Sequence, residues 1–162
     1  PIKILNCNAG FKGRKGTLYE GGIRVPFIVN QPGMVPIQTL DNLIYFPDMM
    51  PTLAALAKGT KHLPKQINGI NILPLFYGKQ VDTDNRLLYW EFPGKQRAAR
   101  KGDWKCVTIH PNQPLELYNL KEDPEETNNL AKKYPRRVKE FDEEMQRMHI
   151  PTPNWPQPGE QF

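Results

Sequence analysis

Apolar positions along the chain fall into two textures. In the first, Phe27-Ile28-Val29 forms an unbroken apolar run with no alternation, which predicts a strand buried on both faces of a parallel sheet. Pro26 sits at its start, where a missing N–H is tolerated, and Pro32-Gly33 closes it with a turn. Farther on, Met49, Leu53, Leu56 and Ala57 recur at helical spacing, which predicts a helix over 48–58 with these residues as its apolar face. Asp48 is its expected N-cap, Pro51 its third helical residue and Gly59 the left-handed residue after its end. Residues 60–84 predict a loop with one short apolar piece, Ile70 to Phe76. A strand followed by a helix is the pattern of an α/β layer.

The second texture begins after a polar stretch, Gly78 to Asp84, and the expected boundary therefore separates 1–78 from 79–162. Arg86 to Phe92, Ala98 to Arg100, Trp104 to Ile109 and Glu116 to Leu120 are short strand-like runs, separated by Gly102-Asp103 and by Pro111-Asn112-Gln113-Pro114. Short strands and short turns predict an antiparallel meander. Asp123-Pro124-Glu125-Glu126 predicts a helix start, with Asp at the N-cap and Pro in the first turn. A second helix is expected after Pro135, where Val138, Phe141, Met145 and Met148 share one face, and the proline-rich tail from Pro151 is expected to be an extended strap. The fold class that follows is an α/β piece joined to a small α+β subdomain.

Composition narrows the function classes. Seventeen prolines in 162 residues, about twice the usual share of roughly 5%, indicate many turns. The net charge of +5 comes from 22 basic and 17 acidic residues spread along the chain. It favours anionic partners slightly and, without a basic block or a recognisable motif, argues against nucleic acid. Cys7 and Cys106 lack the spacing of a metal site and are read as two unpaired thiols. No run reaches membrane-spanning length. The acidic cluster Glu122, Asp123, Glu125 and Glu126 reads as helix capping and dipole compensation rather than as metal ligands.

The specific signal lies in the glycine-rich loop of residues 1–22. Its order Lys15-Gly16-Thr17 fails the Gly-Lys-Ser/Thr requirement of a phosphate loop. Lys15-Gly16-Thr17-Leu18-Tyr19-Glu20-Gly21-Gly22-Ile23-Arg24-Val25-Pro26 instead resembles the K-G-x-x-x-E-G-G-x-R-x-P segment of the formylglycine-dependent sulfatases, the arylsulfatase family of the alkaline-phosphatase-like superfamily. Three later pieces agree in order. Pro32-Gly33 resembles that family's W-P-G turn, with Gln31 in place of Trp. Asp48-Met49-Met50-Pro51-Thr52-Leu53 resembles its D-x-x-P-T-L helix. Leu117-Tyr118-Asn119-Leu120, Asp123-Pro124, Glu126 and Asn129-Leu130 resemble its C-terminal L-Y-x-L-x-x-D-P-x-E-x-x-N-L.

The resemblance implies the C-terminal portion of a sulfuric ester hydrolase acting on a sulfated carbohydrate or aryl sulfate. Residues 1–78 would complete the catalytic α/β layer and 79–162 would form the C-terminal subdomain. Lys15 matches the family lysine that contacts the sulfate and is the implied catalytic and substrate-binding residue. A fixed cation there stabilises negative charge developing at the ester oxygen. Glu20, Gly21, Gly22 and Arg24 are expected to hold the loop, with Glu20 and Arg24 paired to each other or to backbone. Lys12 and Arg14 match no fixed position and are expected to be solvated charges. His110 is a lesser candidate for substrate contact, while His62 and His149 are expected at the surface.

The family's nucleophile, a formylglycine made from Cys or Ser in C/S-x-P-x-R, has no counterpart here, because Cys7 and Cys106 lack that context. Its calcium ligands are expected upstream of Lys15, outside this chain, so no metal ligands are assigned. The implied partners are the sulfate ester, a sulfated glycan foremost, and the N-terminal part of the same protein. A secreted, periplasmic or lysosomal setting is what the family would imply. The alternative is a non-catalytic, truncated sulfatase-like module that binds sulfated polyanions.

Overall fold

The computed structural model describes residues 8–92, 96–110, 112–154 and 156. Cys7 lies outside them. Contacts within the chain define two compact units, one built from Pro1–Val25 with Leu87–Phe162 and the other from Pro26–Arg86.

The first unit is organised by a four-stranded antiparallel sheet in the order β1-β2-β3-β4: β1 Leu87–Phe92, β2 Gln96–Lys101, β3 Trp104–Thr108 and β4 Glu116–Asn119. This is the expected meander, with Gly102-Asp103 turning β2 into β3. Side chains alternate between the faces of a strand, and the register sorts them. Ala99 lies opposite Cys106, and Cys106 opposite Leu117. Together with Phe141 and Met145 they form one core cluster. Those last two come from a helix spanning Pro135–Met148, the expected helix with its expected stripe. Cys106 is buried within this layer, and burial pushes its thiol up to about 12, the behaviour of an inert thiol rather than a nucleophile.

The opposite face carries Ala98 and Val107 with Tyr118, and Leu18 and Tyr19 from the glycine-rich loop pack on them. That loop includes a four-residue helix, α1, Glu20–Ile23. The sheet is thus covered on both sides, by a helix on one and by the motif loop on the other.

The expected helix start at Asp123 does not form. The Asp123 carboxylate accepts the backbone N–H groups of Thr127 and Asn128 and the Thr127 hydroxyl, at 2.8 to 3.0 Å. Glu126 then takes a left-handed conformation, φ 56°, which ends any helical continuation. The segment stays a loop along β4, where Leu130 N–H donates to the Leu117 carbonyl at 2.8 Å and the Asn129 side chain accepts Leu117 N–H at 3.1 Å.

In the second unit, α2 spans Met49–Leu56 and α3 spans Leu73–Phe76. The short apolar piece of the 60–84 segment therefore ends in a helical turn. Asp48 is at the N-cap of α2 as expected but makes no side-chain bond to that helix. Its buried carboxylate accepts Tyr45 N–H at 3.0 Å and Ile70 N–H at 2.9 Å, and a two-pronged pair from Arg86 at 2.5 and 2.6 Å. Arg86 also donates to the Leu43 carbonyl at 2.9 Å. One carboxylate therefore ties together three separated segments of the unit, at 45–48, Ile70 and Arg86.

Three expectations for this region need correction. Phe27-Ile28-Val29 forms no strand, and Ile28 is 87% exposed. Among the described residues of this unit no strand runs beside it, so the run has no ladder to complete. Leu53 and Leu56 are exposed, and the buried residues of α2 are Pro51 and Thr52. The threonine hydroxyl accepts Ile72 N–H at 3.0 Å, so packing is decided by a polar contact and not by the apolar stripe. Finally, Lys58 and not Gly59 is left-handed, with φ 56°. The helix ends one residue earlier than expected. Gly59 N–H then reaches the Ala54 carbonyl and Lys58 N–H the Ala55 carbonyl, a Schellman closure with lysine in the position glycine usually takes.

Candidate functional site: the Lys15 loop

Lys15 stands in a tight turn from Arg14 to Thr17. Thr17 N–H and Thr17 Oγ1 donate to the Arg14 carbonyl at 3.0 and 2.9 Å, and Arg14 N–H donates to Thr17 Oγ1 at 3.1 Å. Gly13 and Gly16 flank the turn at φ 84° and 88°, conformations that glycine adopts without strain. Gln96 in β2 fastens the turn to the sheet: its side chain donates to the Gly16 carbonyl at 2.9 Å and accepts Leu18 N–H at 3.2 Å. The Lys15 side chain is exposed and forms no ion pair among the described residues. A rigid loop thus carries a free ammonium.

Gly21 and Gly22 bring α1 against the underside of this turn. A Cβ on Gly22 would lie 2.0 Å from the Thr17 carbonyl oxygen and 2.6 Å from that of Arg14. On Gly21 it would meet the carbonyl oxygens of Lys12, Phe11 and Gly13 at 2.6 to 2.9 Å. Gly21 N–H also donates to the Lys12 carbonyl at 2.8 Å. No side chain fits at either position, because the obstruction is backbone.

Beneath α1 lies a buried charge cluster. Sheet register places Arg100, Lys105 and Tyr118 in one row facing the loop. The fully buried Lys105 ammonium sits 2.8 Å from Glu20 Oε1 and 2.9 Å from Glu126 Oε1. The latter contact is an ion pair only, for Glu126 Oε1 accepts no well-aligned hydrogen bond. Glu126 Oε2 accepts Glu20 N–H at 2.7 Å. Arg100 lies 3.7 Å and the half-exposed Arg24 3.9 Å from Glu20 Oε2, and Arg24 N–H closes α1 on the Glu20 carbonyl at 2.9 Å. Burial raises the Glu126 carboxyl above its ordinary range, against the opposing pull of Lys105.

A second cluster sits beside it. Tyr19 and Tyr118 both donate to Glu116 Oε2, at 2.7 and 2.6 Å. Lys12 Nζ lies 3.2 Å from the same oxygen, donates to Tyr118 Oη at 2.8 Å, and stands 4.2 Å from the Tyr19 ring centroid. Lys12 is therefore a structural cation and not the solvated charge expected. Burial and the Glu116 hydrogen bonds push both phenols above their ordinary range. Burial would raise the Glu116 carboxyl as well. The two phenol bonds and the Lys12 charge outweigh it and hold Glu116 below the ordinary value.

A depressed carboxyl stabilises the folded chain above its unfolded value of about 4.3, and this contribution disappears as pH falls through the lower folded value. Thermal melting of the full chain should therefore drop from about pH 4.5 downward, and Glu116→Gln should flatten that limb. An unchanged acid limb in the variant would show that Glu116 does not carry it.

The histidines lie elsewhere. His110 and His62 are exposed, and the His110 backbone carbonyl accepts the Thr108 hydroxyl at 2.7 Å and Gln113 N–H at 3.2 Å. His149 is not a surface residue as expected. Its side chain is 14% exposed and pairs with Glu91 at 2.6 Å, and Glu91 also accepts the Tyr89 hydroxyl. Among the described residues no three His, Cys, Asp or Glu side chains converge where they could hold a metal ion, and no helix is long and apolar enough to cross a membrane.

A family model described as "N-sulphoglucosamine sulphohydrolase, C-terminal" matches residues 11–150, from the glycine-rich loop through the last helix. The chain belongs to this C-terminal sulfatase family. A sulfatase of Formosa agariphila is 32% identical over 154 residues, covering 79% of this chain and 28% of the relative. A solved structure from work on the metabolism of multiple glycosaminoglycans by Bacteroides thetaiotaomicron superposes with a TM-score of 0.77 at 28% identity, over 90% of this chain and 34% of that one. A crystal structure in complex with k-i-k-neocarrahexaose superposes at 0.75 with 25% identity, over 91% and 34%. The chain thus spans only 28 to 34% of the length of these three proteins.

Sequence reasoning missed Arg100, Lys105 and Glu116 and misread Lys12 and Glu126. The usable signal was in the family-like D-P-x-E run itself, where Glu126 stands three residues after Asp123 yet has no helix to cap.

Proposed function

We propose that this chain is the C-terminal part of a sulfuric ester hydrolase that removes sulfate from a sulfated glycan, and that Lys15 is its sulfate-contacting cation. The observation that carries the reading is the arrangement of the Lys15 loop in a sulfatase-family chain. Its ammonium makes no ion pair among the described residues, while the backbone on both sides of it is fixed by Gln96, Thr17 and the two glycines of α1. A cation held in this way needs no reorganisation when charge develops on the ester, which is the condition for electrostatic stabilisation of a transition state. The expected division at 78/79 does not coincide with the compact units, since Pro1–Val25 pack with Leu87–Phe162 and Pro26–Arg86 form the other. In the parent, 26–86 would continue the catalytic α/β layer and 87–162, with the loop packed on it, would form the C-terminal subdomain. His110, exposed at the end of β3, is a lesser candidate for contact with the glycan.

The family resemblance further suggests calcium and a formylglycine nucleophile in the parent. This chain's residues do not fit either group, since it has no converging set of ligands among the described residues and no C/S-x-P-x-R sequence. Both groups would have to be supplied by upstream residues, and nothing in the chemistry assigned to Lys15 is routed through them. The work of this chain is to hold the sulfate end of the substrate by charge and to keep that charge in place.

The test is inorganic sulfate release by the full-length protein from sulfated oligosaccharides, together with peptide mass mapping of an upstream Cys or Ser. Multiple turnovers and the mass of a formylglycine are expected. A parent that binds sulfated polysaccharide in a salt-dependent manner but releases no sulfate would establish the non-catalytic binding module instead.

A further inference from the structure

We infer that Glu126 is a positioning residue for Lys15, acting through the backbone N–H of Glu20 and the glycines of α1; the inference rests on the reading of Lys15 as the sulfate contact. Glu126 is wholly buried and keeps a left-handed backbone, φ 56°, which an L residue adopts only where its surroundings impose it. What imposes it is visible. Glu126 Oε2 accepts Glu20 N–H at 2.7 Å, while Oε1 faces Lys105 at 2.9 Å. The same lysine grips the Glu20 carboxylate at 2.8 Å. Backbone and side chain of Glu20 are thereby fixed by one pair of residues from the sheet unit.

From Glu20 the constraint has a short path to Lys15. Gly21 N–H holds the Lys12 carbonyl at 2.8 Å. Gly22 Cα lies so close under the Arg14 and Thr17 carbonyls that an added Cβ would come within 2.6 and 2.0 Å of them. Those two residues are the ends of the turn that bears Lys15. If the α1 start shifts, the carbonyls above it must shift too, and the ammonium moves with them. An ordinary surface loop would not require a buried lysine flanked by two carboxylates, an arrangement that costs desolvation of three charges. Glu126 touches neither substrate nor reacting atoms, so its effect must pass through Lys15.

The experiment is a double-mutant cycle in the full-length protein. Glu126→Gln leaves an acceptor for Glu20 N–H and leaves Lys105 paired with Glu20; Glu126→Ala removes the acceptor. Displacing a reacting group by about 1 Å costs up to about 100-fold in rate. We expect kcat to fall about 10-fold for the glutamine variant and about 100-fold for the alanine variant, with KM little changed. In a Lys15→Ala background neither change should lower kcat by more than about twofold, because the group being positioned is gone. A purely structural role would lower kcat by the same factor in both backgrounds, and that outcome overturns the inference. So does wild-type kcat in either Glu126 variant. If the alanine variant gives no folded protein, the glutamine variant carries the cycle alone, its folding checked by melting. A Lys15→Ala single variant with wild-type turnover would overturn the Lys15 reading itself, and it is told apart because it appears before Glu126 is altered.

Discussion

Lys15→Ala in the full-length parent is expected to lower kcat by about 100- to 1000-fold, the range seen when one preorganised donor to developing charge is removed. The loss should appear in kcat more than in KM, because the ammonium gains most from the extra charge of the transition state. Folding should be unaffected. The Lys15 side chain is exposed and makes no ion pair among the described residues, and the turn around it is held by Thr17, Gln96 and backbone. A melting curve that overlays wild type, together with steady-state kinetics on a sulfated oligosaccharide, checks both halves of the prediction.

Asp48→Ala is expected to have the largest effect on stability, about 3–5 kcal/mol, because it strands a buried guanidinium. Asp48 has no exposed surface and Arg86 is 16% exposed. Removal of the carboxylate leaves Arg86 without its two-pronged partner and leaves Tyr45 and Ile70 N–H groups unsatisfied, each such orphan adding about 1–3 kcal/mol. The cost should fall on the 26–86 unit, which has few other buried contacts. Hydrogen exchange should show loss of protection at Ile70 and around α2 while β1 to β4 stay protected. Wild-type protection in the variant would mean that the unit is held by something other than this pair.

These two residues also show what was legible in the sequence. Strands β1 to β4 and the Pro135–Met148 helix could be read directly, since Gly102-Asp103 sets a turn and Phe141 and Met145 set a helical stripe on one face of the sheet. Arg100, Lys105 and Glu116 could not be read. They occupy alternate strand positions that a polar residue normally gives to water, and only the loop laid over that face turns it into an interior. Glu126 was misread for a similar reason. Its spacing from Asp123 fits a helix cap, but a buried lysine in β3 captures the side chain and the backbone turns left-handed instead. Asp48 was placed correctly at the start of α2, but its partner lies 38 residues away, beyond the reach of a local pattern. The exposed run at Phe27 to Val29 failed in the opposite sense: its composition fits a central strand, and the 26–86 unit has no described strand to pair with it.

The most direct measurement of the central claim compares wild type and Lys15→Ala in the full-length protein on sulfate esters of graded leaving-group acidity. If Lys15 meets charge as it develops on the ester, the rate ratio should widen as the leaving group becomes poorer, and the variant's plot of log kcat/KM against leaving-group pKa should be steeper. Parallel plots, or equal rates in a folded variant, would contradict the assignment of this ammonium to the sulfate.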